Sequence, residues 1–98
     1  MTCESPKASR FRVEGRVQGV GFRQFVSKHA ELLGLVGWVQ NKGDGSVEGV
    51  AQGEPSRLSR FLVELRVGPA ASVVRGLHVE EITLDSALSS FSILPSHP

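Results

Sequence analysis

Apolar and polar residues alternate over residues 10–16. Phe11 and Val13 sit between Arg10, Arg12 and Glu14, and this period of two predicts a strand with one buried face. Glycines at 15, 19 and 21 then interrupt the pattern. From Phe22 the spacing lengthens. Phe22, Phe25, Val26, His29, Leu32 and Leu33 recur at helical intervals and predict an amphipathic helix that stops near Gly34. Residues 35–40 return to strand character, residues 41–45 carry the Asp-Gly pair of a tight turn, and residues 47–52 complete a hairpin. A second helix opens at Pro55 or Ser56 and places Leu58, Phe61, Leu62 and Leu65 on one face. Gly68-Pro69 ends it, because glycine permits a left-handed cap and proline cannot continue the helix. Residues 73–84 supply a fourth strand and residues 91–94 a short last one. Residues 1–9 and 95–98 read as tails.

The order strand–helix–strand–strand–helix–strand is the split β-α-β plan. It predicts an α+β, ferredoxin-like βαββαβ domain over residues 10–94, with one antiparallel sheet and both helices on one of its faces.

Composition narrows the classes of function. The 98 residues suffice for one domain, and 40% hydrophobic with 21% charged is ordinary for a folded chain. The apolar runs are too short to span a bilayer, and the first residues lack the apolar stretch of a secretory signal, so the expected location is the cytoplasm and no membrane partner is expected. Cys3 is the single cysteine, which excludes an internal disulfide and a cysteine-rich metal site; it is expected to be a free thiol in the first tail. Eleven basic residues against ten acidic ones leave a net charge of +1, which argues against a surface that tracks nucleic-acid phosphates. Any anion chemistry must therefore be local. His29, His78 and His97 are scattered and do not make a metal site. Asp44, Glu48, Glu80 and Glu81 are expected to be solvated, and Trp38 to pack in the core against a helix.

One segment carries candidate chemistry. A glycine-rich loop can turn backbone N–H groups around an anion where Cβ atoms would block the approach. A helix that starts directly after such a loop adds its own free N–H groups and a partial positive charge. Residues Gln18, Gly19, Val20, Gly21, Phe22 and Arg23 form that arrangement, and Arg23 in the first turn can add a bidentate guanidinium. The dinucleotide fingerprint fails because Gln24 stands where a third glycine is required, and no Gly-Lys-Ser/Thr is present for a phosphate loop of the Walker type. Glycine spacing by itself leaves an ordinary strand-to-helix turn as the rival reading. A second element shifts the balance. Asn41 ends the next strand at a turn, and its neutral amide offers both a donor and an acceptor that can hold a water near a bound anion. Asn41 as a plain turn residue is the alternative.

Together the two segments resemble the acylphosphatase family. Gly15-Arg-Val-Gln-Gly-Val-Gly-Phe-Arg23 meets every fixed position of its first signature, and Gly37-Trp-Val-Gln-Asn41 followed by Gly45-Ser-Val47 and Gly53 resembles its second. Gly68-Pro69 with Ala71-Ser-Val73, and the closing Phe91-Ser-Ile93, extend the resemblance over residues 10–94. The resemblance implies hydrolysis of a small-molecule acyl phosphate to a carboxylate and inorganic phosphate. It implies a phosphate held by the 18–23 loop and Arg23, a water oriented by Asn41, no metal or other cofactor, no phospho-enzyme, and a monomer. No histidine or carboxylate is placed at the loop by the sequence, so no protein general base is named. Lys42 stands where some animal members carry a hydroxyl residue next to the asparagine.

Three rival functions remain on the sequence. An RNA-binding module shares the plan, and residues 75–82 echo its signature, but Leu77, Val79 and Ile82 occupy the positions where stacking aromatics would stand. A related domain at the N-terminus of large hydrogenase-maturation carbamoyltransferases would handle carbamoyl phosphate; a free-standing chain of 98 residues weighs against it. An inactive ferredoxin-like binding module is disfavoured by the presence of both Arg23 and Asn41.

Overall fold

The computed structural model describes residues 5–97. Cys3 and the rest of residues 1–4 in the first tail lie outside them. Seven elements follow in order: β1 (Lys7–Arg16), α1 (Phe22–Leu32), β2 (Val36–Asn41), β3 (Val47–Gly53), α2 (Pro55–Val67), β4 (Val73–Ile82) and β5 (Phe91–Ile93). The sheet order is β4-β1-β3-β2-β5. β1 pairs antiparallel with β3 and β4, and β2 antiparallel with β3, which is the expected ferredoxin-like core. β5 departs from the all-antiparallel sheet. It runs parallel to β2, with Gly37 opposite Phe91 and Val39 opposite Ile93, so the sheet is mixed at that edge.

Two expected tails prove partly ordered. β1 starts at Lys7 rather than residue 10, and Ala8 and Ser9 are buried against Gln52 and Ala51 of β3. Small residues carry little hydrophobic signal, so the strand start was invisible to periodicity. At the other end the Leu94 N–H donates to the Val39 carbonyl at 2.8 Å and the His97 N–H to the Asn41 carbonyl at 2.8 Å. The chain thus continues along β2 past the end of β5. The alternation rules cannot see this, because the ladder uses only backbone groups.

Period two decides which face each strand residue takes. Phe11 and Val13 of β1, Val39 of β2, and Val47 and Ala51 of β3 are buried under the helices together with Phe22, Val26 and Ala30 of α1 and Leu58, Phe61 and Leu65 of α2. Trp38, adjacent to Val39, therefore falls on the opposite face, half-buried and in register with Val50, rather than against a helix. Glu48 is also not solvated. It is only 7% exposed, accepts hydrogen bonds from the Arg10 guanidinium, and lies 3.5 Å from the Lys42 ammonium. Leu32, expected on the apolar side of α1, is 71% exposed. At 3.6 residues per turn, Leu32 and Ala30 lie about 80° to either side of Phe22, and the sheet covers the side of Ala30.

The centre of the core is aromatic. The Phe11 and Phe61 rings meet edge to face with centroids 5.6 Å apart, and Phe61 meets Phe91 at 6.3 Å. Phe11 also explains a glycine across the ladder: a Cβ on Gly49 would come within 2.5 Å of the Phe11 ring. Phe61 thus ties α2 to both a central strand and the parallel edge strand. Phe61→Ala should destabilise the fold by about 3–5 kcal/mol, read as a lower urea midpoint at unchanged slope. A loss under ~1 kcal/mol would show that α2 is held by other contacts.

Candidate active site

β1 and β2 run in the same direction, each antiparallel to β3 between them. Their carboxyl ends therefore open on one rim of the sheet. The chain leaves β1 at Arg16, buries Val17, and passes through Gly19 and Gly21 before α1 begins. Gly19 has φ 73° and Gly21 φ 77°, a left-handed backbone that side chains with a Cβ rarely adopt. A Cβ at either position would meet nothing within 4 Å, so the glycines serve the backbone turn and leave the space above them open.

Gly21 is the N-cap of α1 and provides no side-chain cap. The first helical bond runs from the Phe25 N–H to the Gly21 carbonyl at 3.1 Å. The N–H groups of Phe22, Arg23 and Gln24 therefore have no partner inside the helix and project from its positive end. A cavity of about 250 Å³ lies there, lined by Val17, Gly19, Gly21, Phe22, Arg23, Gln24 and Asn41.

Two side chains give the cavity its character. Arg23 is half-buried, and its Nη1 donates to the Leu94 carbonyl at 3.3 Å. Among the described residues no carboxylate lies within ion-pair distance of Arg23. Asn41 is the last residue of β2 and faces the helix side with Val39. Its backbone carbonyl accepts from His97, while its side-chain amide makes no hydrogen bond among the described residues. Cation, helix end and free amide converge on one concave surface.

The structure thus brings Gly19, Gly21, Phe22, Arg23 and Asn41 together. Two other loop residues turn elsewhere. Val20 packs against the core. The Gln18 side chain spans to the hairpin turn, where its Nε2 donates to the Lys42 carbonyl at 2.7 Å and the Ser46 carbonyl at 2.9 Å. Gln24 and Val17 line the cavity without having been singled out in the sequence. Gln24 is the third residue of the helix, so the rule that helix starts expose their first N–H groups was the available signal. A larger depression of about 300 Å³ lies on the open face of the sheet beside Arg10 and Glu48, whose charges already satisfy each other. Among the described residues no group of three or more His, Cys, Asp or Glu side chains is arranged to hold a metal ion, and no helix is long and apolar enough to cross a membrane.

Comparison with known proteins identifies the family and the fold. A family model described as acylphosphatase matches residues 9–93. The chain is 48% identical to an acylphosphatase of Koribacter versatilis over 92% of its own length and 82% of that protein's. It superposes on the structure of an acylphosphatase from Coxiella burnetii with a TM-score of 0.87 and 38% identity, covering 91% of this chain and 93% of that one. It also superposes on full-length HypF in a phosphate- and nucleotide-bound form, with a TM-score of 0.89 and 31% identity, covering 95% of this chain but 12% of that one.

The turn that follows Asn41 has its own electrostatic lock. Asp44 Oδ1 accepts from the Ser46 hydroxyl at 2.6 Å and the Ser46 N–H at 2.9 Å, and Oδ2 lies 2.8 Å from Arg12 Nη2. The Ser46 hydroxyl above all, then the Ser46 N–H, hold the Asp44 carboxyl below its ordinary pKa; desolvation opposes them, and the Arg12 charge and the Asp44 backbone add weaker lowering effects. A lowered folded pKa contributes stability that is whole above the ordinary aspartate value and is lost as pH falls through the folded one. The stability difference between the wild-type chain and Asp44→Asn should therefore be constant near neutrality and shrink only in acid. A difference that grew on acidification would contradict the lock.

Proposed function

The chain belongs to the acylphosphatase family, hydrolases of acid anhydrides, and we propose that its phosphate loop and Asn41 together cleave the carboxyl–phosphate bond of small acyl phosphates. The observation that carries this reading is the convergence on one cavity of an uncapped helix start, an Arg23 with no ion pair among the described residues, and the Asn41 amide. The phosphoryl group sits on the N–H groups of the loop and helix start, with the Arg23 guanidinium against its oxygens. The Asn41 side chain holds a water in line with the bond to be broken. The water oxygen attacks phosphorus, the P–O bond to the acyl group breaks, and its electron pair leaves on the carboxylate. The water proton passes to a phosphate oxygen of the substrate, since no histidine or carboxylate among the described residues lines the cavity.

Energetics support so small a set of groups. An acyl phosphate is an activated anhydride with a good leaving group, and phosphoryl transfer asks the protein mainly for positioning and charge stabilisation. The neutral amide of Asn41 suits a water that must remain nucleophilic beside a dianion. The proposed working unit is a monomer. A second reading, carried by the sequence resemblance to domains of larger hydrogenase-maturation proteins, has the same chemistry meet carbamoyl phosphate. Comparing kcat/KM for carbamoyl phosphate with that for benzoyl phosphate separates the two.

Benzoyl phosphate should be hydrolysed by the purified chain with a rate that persists in chelator. Turnover no faster than the uncatalysed background would sink the reading. Arg23→Ala should lose both phosphate affinity and rate, because a charge-assisted contact of about 2–4 kcal/mol leaves a concave anion site. Asn41→Ala should lose rate while inhibition by inorganic phosphate survives. Equal loss of phosphate affinity in the two variants would contradict this division of labour.

A further inference from the structure

The loop and the asparagine belong to different elements, and one side chain joins them. Gln18 lies in the glycine-rich loop, yet its amide is turned away from the cavity and onto the β2–β3 turn. Both its contacts are backbone carbonyls at the base of that turn. The Lys42 carbonyl already accepts from the Gly45 N–H at 3.1 Å, and the Ser46 carbonyl from the Lys42 N–H at 2.9 Å. Gln18 Nε2 therefore completes a closed box of four hydrogen bonds directly after Asn41. A primary amide suits this role because it carries two hydrogens and no charge. A carboxylate of the same length has no donor, and an ammonium would add a positive charge.

Lys42 gives no such support from its own side chain. Its ammonium points to the open face of the sheet, 3.5 Å from Glu48. The turn is held instead from the Asp44 side by Ser46 and Arg12, and from the loop side by Gln18. Only the second of these links refers the position of Asn41 to the phosphate loop.

We propose that Gln18 is a positioning residue: its side chain sets the distance between the phosphate loop and Asn41, and so the placement of the water, while contributing nothing to phosphate binding. This rests on the reading of Arg23 and Asn41 given above. A misplacement of about 1 Å in such a pair is enough to cost a hundredfold in rate.

The test is a double-mutant cycle on benzoyl phosphate hydrolysis with Gln18→Met, which keeps the length of the side chain and removes both donors. Gln18→Met alone should lower kcat by about 10–100-fold, with inhibition by inorganic phosphate changed less than about threefold. In an Asn41→Ala background the same substitution should lower kcat by less than about twofold, because the group it positions is gone. Equal factors in the two backgrounds, an unchanged kcat in the single variant, or a phosphate inhibition constant that rises with the loss of kcat would each overturn the proposal. If Gln18→Met does not fold, Gln18→Asn, which withdraws the amide by one methylene, is put through the same cycle. An Asn41→Ala variant that keeps its full rate overturns the water-placing role itself. One that loses rate, with additive factors for Gln18, overturns only the coupling.

Discussion

β3 stands between two strands that run the same way, and this separation governs the rest of the molecule. The carboxyl ends of β1 and β2 are two strand spacings apart, about 10 Å. A chain that leaves β1 must cross over β3 before it can return as β2, and α1 makes that crossing on one face. The start of α1 is thereby brought over the rim where β2 ends. The glycine-rich segment is the part of the crossing that turns sharply enough to let the helix begin there.

The consequences are electrostatic as well as geometric. An uncapped helix start presents N–H groups that would otherwise be satisfied by a serine or aspartate side chain. Arg23 adds a full charge to the same place, and no carboxylate among the described residues pairs with it. The remaining charges of the sheet are arranged in the opposite way. On the open face Glu48 is enclosed by Arg10 and Lys42, and Arg12 is shared between Glu14 and Asp44. A chain with almost no net charge can keep a locally positive cavity on one rim because the local arrangement of charges, and not their sum, sets the field there.

The parallel edge adds a constraint of a different kind. β5 and the residues after it bond to β2 through backbone groups, while Phe91 anchors the same strand in the core. Leu94 reaches Arg23 from this edge, and His97 reaches the Asn41 backbone. Both proposed catalytic residues thus have a neighbour from the last stretch of the chain, some fifty to seventy residues away in sequence. The same backbone ladder that closes the sheet also limits the movement of the cavity walls.

Much of this was legible without coordinates. Hydrophobic period located both helices and all five strands, the turn chemistry of Asp44-Gly45 located the hairpin, and the glycines ahead of Phe22 marked a turn open enough for an anion. Where periodicity carried no information the reading fell short: at Ala8 and Ser9, which are too small to show it, and after Ile93, where pairing is made by the backbone. Trp38 was misassigned although its alternation with Val39 already placed it on the opposite face, and Glu48 because alternation does not tell how closely neighbouring strands cover the outer face. The sequence by itself determined which residue types stood at the end of each element: Arg23 at a helix start, Asn41 at a strand end, and glycines where a Cβ would obstruct. That these ends meet, and that Gln18 points across to the turn rather than into the cavity, was decided only by the tertiary structure, because strand order and side-chain direction depend on contacts between segments far apart in the chain.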